Sequence, residues 1–177
     1  RYRAWETRRA GARAFPAPPP GLSGHAVIVG FGRVGRVVAQ GLAQHGVPIL
    51  AIEADHARAE ALRREGLSVI WGDAAQPEVL AAARLESAGL LVLALPDAFG
   101  CRRVLELARA ANPDLPAAVR AHDDEEAALL ARIEGVGLVV MGEREIALGM
   151  AGFALRHFGV APLVAQATLE DLRAGRG

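Results

Sequence analysis

Cysteine is nearly absent from this chain of 177 residues, in which Cys101 is the single thiol. One thiol excludes an internal disulfide framework and favours a reducing compartment. Long apolar runs are absent as well. The longest, Ala88 to Leu95, ends at Pro96 and is far shorter than the roughly 20 residues that cross a bilayer. Apolar residues still make up 52% of the chain, so we expect a soluble, cytosolic segment with the core of one domain.

Lysine is missing altogether, so that arginine provides all 20 basic residues, which balance 20 acidic residues. A net charge of zero gives no support for nucleic acid as a partner of the whole surface. The arginines are unevenly placed, because five of them lie within the first thirteen residues beside a single acid, Glu6. The chain also lacks a first Met, and we expect it to be part of a longer polypeptide.

A proline-rich stretch, FPAPPPGLSG, closes the first 24 residues. Its four prolines and two glycines disfavour helices and sheet ladders alike and are typical of an extended linker. We therefore predict a basic, proline-rich linker over 1–24 and a domain that begins at His25.

Apolar runs alternate with Ala-, Arg- and Glu-rich runs from His25 onward. This alternation is typical of βαβ units in a parallel sheet that is covered on both faces. The predicted strands are Ala26–Gly30, Pro48–Glu53, Ser68–Trp71, Leu90–Leu95, Ala117–Arg120 and Leu138–Met141. The predicted helices are about Val34–Gln44, His56–Glu65, Pro77–Arg84, Phe99–Ala111 and Glu125–Ile133, with start signals at Asp55, Pro77 and Asp123 or Asp124. The fold class is α/β, a Rossmann-like, doubly wound sheet of six parallel strands.

The glycines of VIVGFGRVG have the G-x-G-x-x-G spacing of a dinucleotide-binding turn. Gly30 allows the strand to turn sharply into the helix, Gly32 allows the backbone to approach a pyrophosphate, and Gly35 allows close packing of helix and strand. The phosphates are then expected at the amino end of the helix, where backbone N–H groups point outward. Because the motif ends a strand and opens a helix, we predict a nucleotide site.

Glu53 ends the second predicted strand, eighteen residues beyond Gly35. A carboxylate at this place accepts hydrogen bonds from ribose hydroxyls and repels a 2′-phosphate, which favours NAD(H) or an adenine mononucleotide over NADP(H). The alternative is an ordinary solvated acid after a strand. Arg33, inside the glycine turn, is either a phosphate ligand or a surface residue of the first helical turn.

Two further places at the same edge of the sheet carry polar residues. Gly72 and Asp73 follow the third strand, where the acid either holds an adenine amino group or caps the next helix. Arg120 and His122 end the fifth strand at the edge where open α/β sheets bind ligands. The alternative for Arg120 is an ion pair with Asp123 or Asp124.

The last predicted helix, Glu143–Phe158, has no polar side chain from Ile146 to Leu155. A helix that is apolar all round is buried all round. The sheet can cover one face, and a second copy of the chain is the simplest cover for the other, so we predict a crossover helix that forms a homodimer. The alternative is a core helix under the tail 160–177.

Catalytic groupings are not visible in the sequence. The five histidines are scattered, and neither a nucleophile with its base nor a cluster with metal-ligand spacing is present. We therefore predict no catalytic residues, no metal and no enzymatic activity. The alternative is the cofactor domain of an NAD-dependent oxidoreductase that lacks its substrate domain.

Four segments together resemble a known family: GFGRVG, the acid Glu53, GDA at 72–74, and MGEREIA at 141–147. The chain is similar to the RCK domain, also called the TrkA N-terminal domain, of bacterial monovalent cation:proton antiporters of the Kef and YbaL group. The likeness extends from about His25 to Phe158.

The resemblance implies a regulatory module that binds NAD(H) or an AMP-type nucleotide and controls potassium or other cation transport. It implies a linker beside the membrane at 1–24, a nucleotide-binding domain at 25–142, a dimerisation helix at 143–159 and a tail at 160–177. It further implies a covalently attached transmembrane antiporter domain and a place at the cytoplasmic face of the inner membrane, or a separate subunit that docks on a transporter. Glutathione gating, through a basic residue like Arg120, is a minor alternative. The implied nucleotide contacts are Gly30, Phe31, Gly32, Arg33, Val34, Gly35, Glu53, Gly72, Asp73 and Ala74.

Overall fold

Six parallel strands form a single sheet in the computed structural model, which describes residues 21–96 and 98–175. The strands are β1 (Ala26–Val29), β2 (Ile49–Glu53), β3 (Ser68–Trp71), β4 (Leu90–Leu93), β5 (Ala117–Ala121) and β6 (Val136–Met141). Their order across the sheet is β3-β2-β1-β4-β5-β6, the Rossmann order. The predicted fold class is therefore confirmed. Most of the predicted linker, residues 1–20, lies outside the described residues.

Seven α-helices connect or follow these strands within the described part of the chain. They are α1 (Arg33–Ala43), α2 (His56–Arg64), α3 (Pro77–Ala81), α4 (Ala98–Ala111), α5 (Asp124–Leu130), α6 (Gly142–His157) and α7 (Pro162–Arg173). The Asp55 and Asp123 carboxylates accept from backbone N–H groups at the starts of α2 and α5, and Pro77 opens α3, as the sequence predicts. The third helix is shorter than predicted, because Arg84 adopts a left-handed backbone and a 3-10 turn follows at Leu85–Ser87.

The direction of winding reverses at the middle of the sheet. The chain moves outward from β1 through β2 to β3, then crosses back to β4 and continues to β6. Strand β1 therefore pairs with β2 on one side and with β4 on the other. In open α/β sheets, a ligand crevice forms outside the carboxyl ends of the strands at such a reversal.

Both faces of the sheet are buried, because alternate side chains of each strand point to opposite faces. On β1, Val27 and Val29 belong to a core with α3, α4 and α5, whereas Ile28 belongs to a second core with α1 and α2. All four residues of β1 are at most 1% exposed. This double burial fixes the strand whose carboxyl end carries the glycine turn.

The two C-terminal helices pack against each other. Gly152 of α6 is buried, and a Cβ built on it would lie 3.1 Å from Leu169 of α7. At the other end of the pair, the Arg173 guanidinium donates to both Glu145 carboxylate oxygens, at 2.9 and 2.8 Å. The sequence predicts the sheet and a second copy of the chain as the cover of α6, with the tail 160–177 as the alternative cover. In the structure, α7 provides much of that cover.

Candidate functional site

A cleft of about 740 Å³ opens at the carboxyl edge of the sheet, at the reversal between β1 and β4. Its walls come from β1, α1, β2, α2, the turn after β3, the turn after β4, β5 and α6. The lining residues are Val29, Gly30, Gly32, Arg33, Val34, Ile52, Glu53, Ala54, Arg58, Gly72, Asp73, Ala74, Ala94, Leu95, Pro96, Arg120, Gly142 and Ile146. Most of the predicted site residues thus meet in one cavity.

The glycine turn forms the floor of the cleft. Gly30 has a φ of +85°, and a Cβ there would lie 3.1 Å from the Ala94 carbonyl oxygen, so both backbone and space favour glycine. A Cβ on Gly32 would meet no atom within 4 Å, because this residue faces the open cleft. The backbone at Gly32 is therefore accessible to a ligand, as the motif predicts.

Phe31 and Gly35 do not line the cleft, although the family resemblance counts them among the nucleotide contacts. The Phe31 ring is 2% exposed and packs in the core beneath α1. A Cβ on Gly35 would lie 2.3 Å from the Gly30 carbonyl oxygen and 3.2 Å from Ile28. Gly35 thus permits the close approach of α1 to β1, and both residues support the cleft from behind.

Glu53 is a buried carboxylate held by three donors. Its Oε2 accepts from the Phe31 backbone N–H at 3.2 Å, and its Oε1 accepts from the Asp55 N–H at 2.9 Å. The Arg58 guanidinium lies 3.3 Å from the same Oε2. Glu53 is 5% exposed, which excludes the alternative of an ordinary solvated acid. The backbone N–H groups fix the carboxylate at the wall of the cleft.

Arg58 is a lining residue that the sequence analysis does not identify. It stands in the first turn of α2, and its own N–H donates to the Asp55 cap at 2.7 Å. This cap brings the start of α2 beside the carboxyl end of β2. In the sequence, the only signal for Arg58 is its position, three residues after the Asp55 cap and five after Glu53.

The turn after β3 contributes Gly72, Asp73 and Ala74 to the cleft. One Asp73 carboxylate oxygen accepts from the Ala75 N–H at 2.9 Å, so the side chain shapes the turn. The cap position of α3 is occupied by Gln76 instead. Asp73 remains exposed in the cleft wall, where its carboxylate is accessible to a polar ligand group.

Two arginines face the cleft without an ion pair among the described residues. Arg33 opens α1, and Arg120 lies on β5 opposite Val140 of β6. The alternative pairing of Arg120 with Asp123 or Asp124 is not found. Asp123 caps α5, and Asp124 pairs with Arg144. Both cations are therefore available to an anionic ligand.

Helix α6 reaches the cleft through its first turn. Gly142 and Ile146 line the cavity, and Ile146 is 66% exposed. Sequence reasoning places this helix only at a partner interface, because no motif links it to the site. The structure joins the site to the helix that is predicted to pair two chains.

Neither a metal-binding cluster nor a membrane-spanning helix is found in residues 21–96 and 98–175. No three His, Cys, Asp or Glu side chains of this part are grouped to hold a metal ion. Its helices are all too short or too polar to span a membrane.

The TrkA-N domain family matches residues 26–142 of the chain. Among curated proteins, YbaL of Escherichia coli, named as a cation/proton antiporter, is 39% identical over 75% of this chain and 24% of its own length. KefB of Alkalimonas amylolytica, named as a K⁺ efflux antiporter, is 39% identical over 62% of this chain and 17% of its own length. The chain thus spans a quarter or less of these relatives.

Solved structures show the same fold. The TrkA-N domain of the inner membrane protein YbaL from Escherichia coli is 38% identical, with a TM-score of 0.69 over 73% of this chain and 96% of that domain. The C-terminal domain of Shewanella denitrificans Kef in its AMP-bound form is 27% identical, with a TM-score of 0.73 over 85% of this chain and 92% of that domain. The NAD-bound GsuK channel, at 21% identity and a TM-score of 0.69, shares the fold over 83% of this chain and 26% of its own.

Proposed function

The chain belongs to the TrkA-N domain family, and we propose that it is a regulatory domain that binds NAD(H) or an AMP-type adenine nucleotide. The observation that carries the proposal is the cleft at the reversal of the sheet, where the glycine turn, Glu53 and Asp73 meet. Its volume of about 740 Å³ is in the range of cofactor sites. The AMP bound to the Kef domain is consistent with this ligand class.

The phosphates of the ligand are assigned to the start of α1. The first N–H groups of a helix have no partners within it and carry partial positive charge. Gly32, at the cap position, has no side chain to occupy them, and the first turn contains no acid. Arg33 adds a full positive charge at the same place. This arrangement favours an anion at the glycine turn.

The adenosine is assigned to the side of the cleft formed by β2 and β3. Glu53 keeps one oxygen, Oε1, with a single described donor, and a carboxylate oxygen can accept two hydrogen bonds. A ribose hydroxyl would donate the second hydrogen bond to Oε1. The Gly72–Ala74 turn then faces the base, and Arg120, on the other side of β1, faces the far end of a dinucleotide.

We propose that the partner of α6 is a second copy of this chain. Ile146, Met150 and Phe153 lie along one face of α6 and are 66, 70 and 67% exposed. This apolar face is not covered by α7, and contiguous exposed apolar surface marks an interaction site. A homodimer through Glu143–Phe158 would bury it.

Ligand binding in the cleft would change the arrangement of the dimer through α6. Its first turn lines the cleft at Gly142 and Ile146, and its later turns carry Met150 and Phe153. A ligand that favours one position of this helix shifts the equilibrium between two dimer arrangements by its difference in affinity for them. This is the physical route by which a nucleotide would act on an attached protein.

The relatives named as antiporters support a role in cation transport, and we propose that the site regulates transport and has no catalytic role. We propose that the domain is joined through 1–24 to a membrane antiporter and lies at the cytoplasmic face of the inner membrane. The division at 25–142, 143–159 and 160–177 belongs to the same proposal. Its transported ion would be potassium or another monovalent cation.

Mass spectrometry of small molecules released from the purified, then denatured chain tests the proposal. We expect an adenine nucleotide in near-stoichiometric amount, or uptake of added NADH or AMP during dialysis. If the chain neither releases nor takes up any adenine nucleotide, the proposal is wrong.

A further inference from the structure

We propose that Arg58 is a specificity-determining residue of the cleft, which allows the adenosine ribose to carry a phosphate on its 2′ oxygen. The ligand class is an adenine nucleotide with a 2′-phosphate, such as adenosine 2′,5′-bisphosphate or NADP(H). The inference rests on the proposed function, because it takes Glu53 as the residue that receives the ribose.

Glu53 by itself predicts the opposite preference, since an isolated carboxylate at this position repels a 2′-phosphate. The structure shows that the carboxylate is not isolated. Arg58 Nη1 lies 3.3 Å from Glu53 Oε2, and both residues line the cleft. The positive charge offsets the negative charge of the carboxylate that receives the ribose, so the repulsion of a 2′-phosphate by Glu53 is largely cancelled.

Arg58 is not needed to hold Glu53 in place. The Phe31 and Asp55 backbone N–H groups already bind the two carboxylate oxygens, one each. The Glu53 side chain is 6% exposed, whereas that of Arg58 is 49% exposed. The guanidinium can therefore turn toward a ligand while Glu53 keeps its position.

The guanidinium also retains the donors that a phosphate requires. Arginine has five N–H donors in a planar fork, and within the described residues only Nη1 of Arg58 has a hydrogen-bond partner. The other guanidinium donors have no partner among the described residues, and about half of the side chain is exposed, so two of them can form parallel bonds to phosphate oxygens. Arg33 is on a different element, at the glycine turn, where it faces the 5′-phosphate.

AMP and adenosine 2′,5′-bisphosphate differ only in the 2′-phosphate, so the difference in their affinities measures the contribution of the contact with Arg58. We would titrate the whole chain with AMP and with adenosine 2′,5′-bisphosphate in a calorimeter, using wild type, Arg58→Gln and the control Arg64→Gln. Arg64 is on the same helix, is exposed and does not line the cleft. Thermal melting of each variant checks that the fold is retained.

We expect wild type to bind the two ligands with dissociation constants within about tenfold of each other. Arg58→Gln should weaken binding of the bisphosphate by about tenfold more than it weakens binding of AMP, because only the bisphosphate loses a charge-assisted contact. Arg64→Gln should change neither ligand. Glu53→Gln, which removes the repelling charge, should strengthen the binding of the bisphosphate relative to that of AMP.

Two results would overturn the inference while the proposed function stands: AMP binds but wild type rejects the bisphosphate by more than about a hundredfold, or Arg58→Gln weakens both ligands equally. If neither ligand nor any other adenine nucleotide binds wild type, the proposed function itself is wrong, and the inference falls with it.

Discussion

Glu53 has two tasks, and both follow from its place at the end of β2. It accepts the Phe31 and Asp55 N–H groups, which fixes the backbone on both sides of the cleft wall. It also presents its carboxylate to the cavity. The sequence analysis assigns only the second task. Removing the side chain would leave a buried Phe31 N–H unpaired, at a cost of about 1–3 kcal/mol. Glu53→Gln keeps one acceptor oxygen for that N–H and places an amide donor beside the Asp55 N–H, so it disturbs the backbone less than Glu53→Ala.

Replacing Gly32 and replacing Gly35, the second and third glycines of the motif, should have different effects. A side chain on Gly32 enters open space in the cleft, so Gly32→Val should keep the melting temperature and lose AMP and NADH binding. A single methyl on Gly35 meets the Gly30 carbonyl at 2.3 Å. Gly35→Ala should therefore lower stability by about 1–3 kcal/mol, measured by thermal or urea unfolding. Binding by Gly32→Val at wild-type affinity would contradict the assignment of the phosphate position.

Arg33 should contribute to the affinity for the phosphate of the ligand and not to the affinity for the nucleoside. We expect Arg33→Gln to weaken AMP by about tenfold and to leave adenosine, which has no phosphate, unchanged. Arg36 offers a matched control on the same helix, because it pairs with Glu65 away from the cleft. Isothermal titration of both ligands into the Arg33→Gln and Arg36→Gln variants makes the comparison. An equal loss for adenosine and AMP would show that Arg33 serves the fold.

The site was predictable where a local motif fixes it. Gly30, Gly32 and Glu53 follow from the strand ends and the motif spacing, and the structure brings them into the cleft. Arg58 and Ile146 reach the cleft through helices whose orientation depends on tertiary packing, and no local pattern reports that. Phe31 is the opposite case: it belongs to the motif and is expected at the site, but its ring points into the core and does not line the cleft.

Helix α6 exposes much of an apolar sequence, including Ile146, Met150 and Phe153. Only Leu148 and Gly152 are buried on it, although no polar side chain occurs from Ile146 to Leu155. The sequence correctly predicts a helix here. It does not predict α7, because 160–177 is short and half polar, although Pro162 at the first helical position is a start signal.

The exposed face of α6 should determine the oligomeric state. We expect Met150→Glu combined with Phe153→Glu to convert a dimer into monomers, because two charges cannot be buried unpaired in an apolar interface. Light scattering after size-exclusion chromatography measures the mass. The matched control, Met150→Leu with Phe153→Leu, keeps the surface apolar and should remain dimeric. A charged variant that stays dimeric would refute the interface.

The pairing of α6 with α7 should weaken in acid. The hydrogen bond from the Arg173 guanidinium holds the pKa of the Glu145 carboxyl below its ordinary value of 4.5. Because the pKa is lowered in the folded state, the stabilisation is complete above that ordinary value and is lost as the pH falls below it. The effect is small, since both side chains are substantially exposed. Unfolding from pH 7 to pH 3 should show a shallower acid dependence for Glu145→Gln than for wild type.

In the whole molecule, one sheet positions both the cleft and the helix that we propose pairs two chains. Its reversal between β1 and β4 creates the cleft, and the chain that leaves β6 enters α6 at the rim of that cleft. The alternation of strands and helices made this topology predictable from the sequence, because buried parallel strands read as short apolar runs. The contact between the cleft and α6 was not predictable, since it joins residues far apart in the chain.

Calorimetric titration of AMP and of NADH into the purified chain tests the central claim, that this cleft holds an adenine nucleotide. We expect saturable heat with one ligand per chain for wild type, and none for Gly32→Val at an unchanged melting temperature. The absence of saturable heat in wild type, or equal heat in the folded Gly32→Val variant, would contradict it.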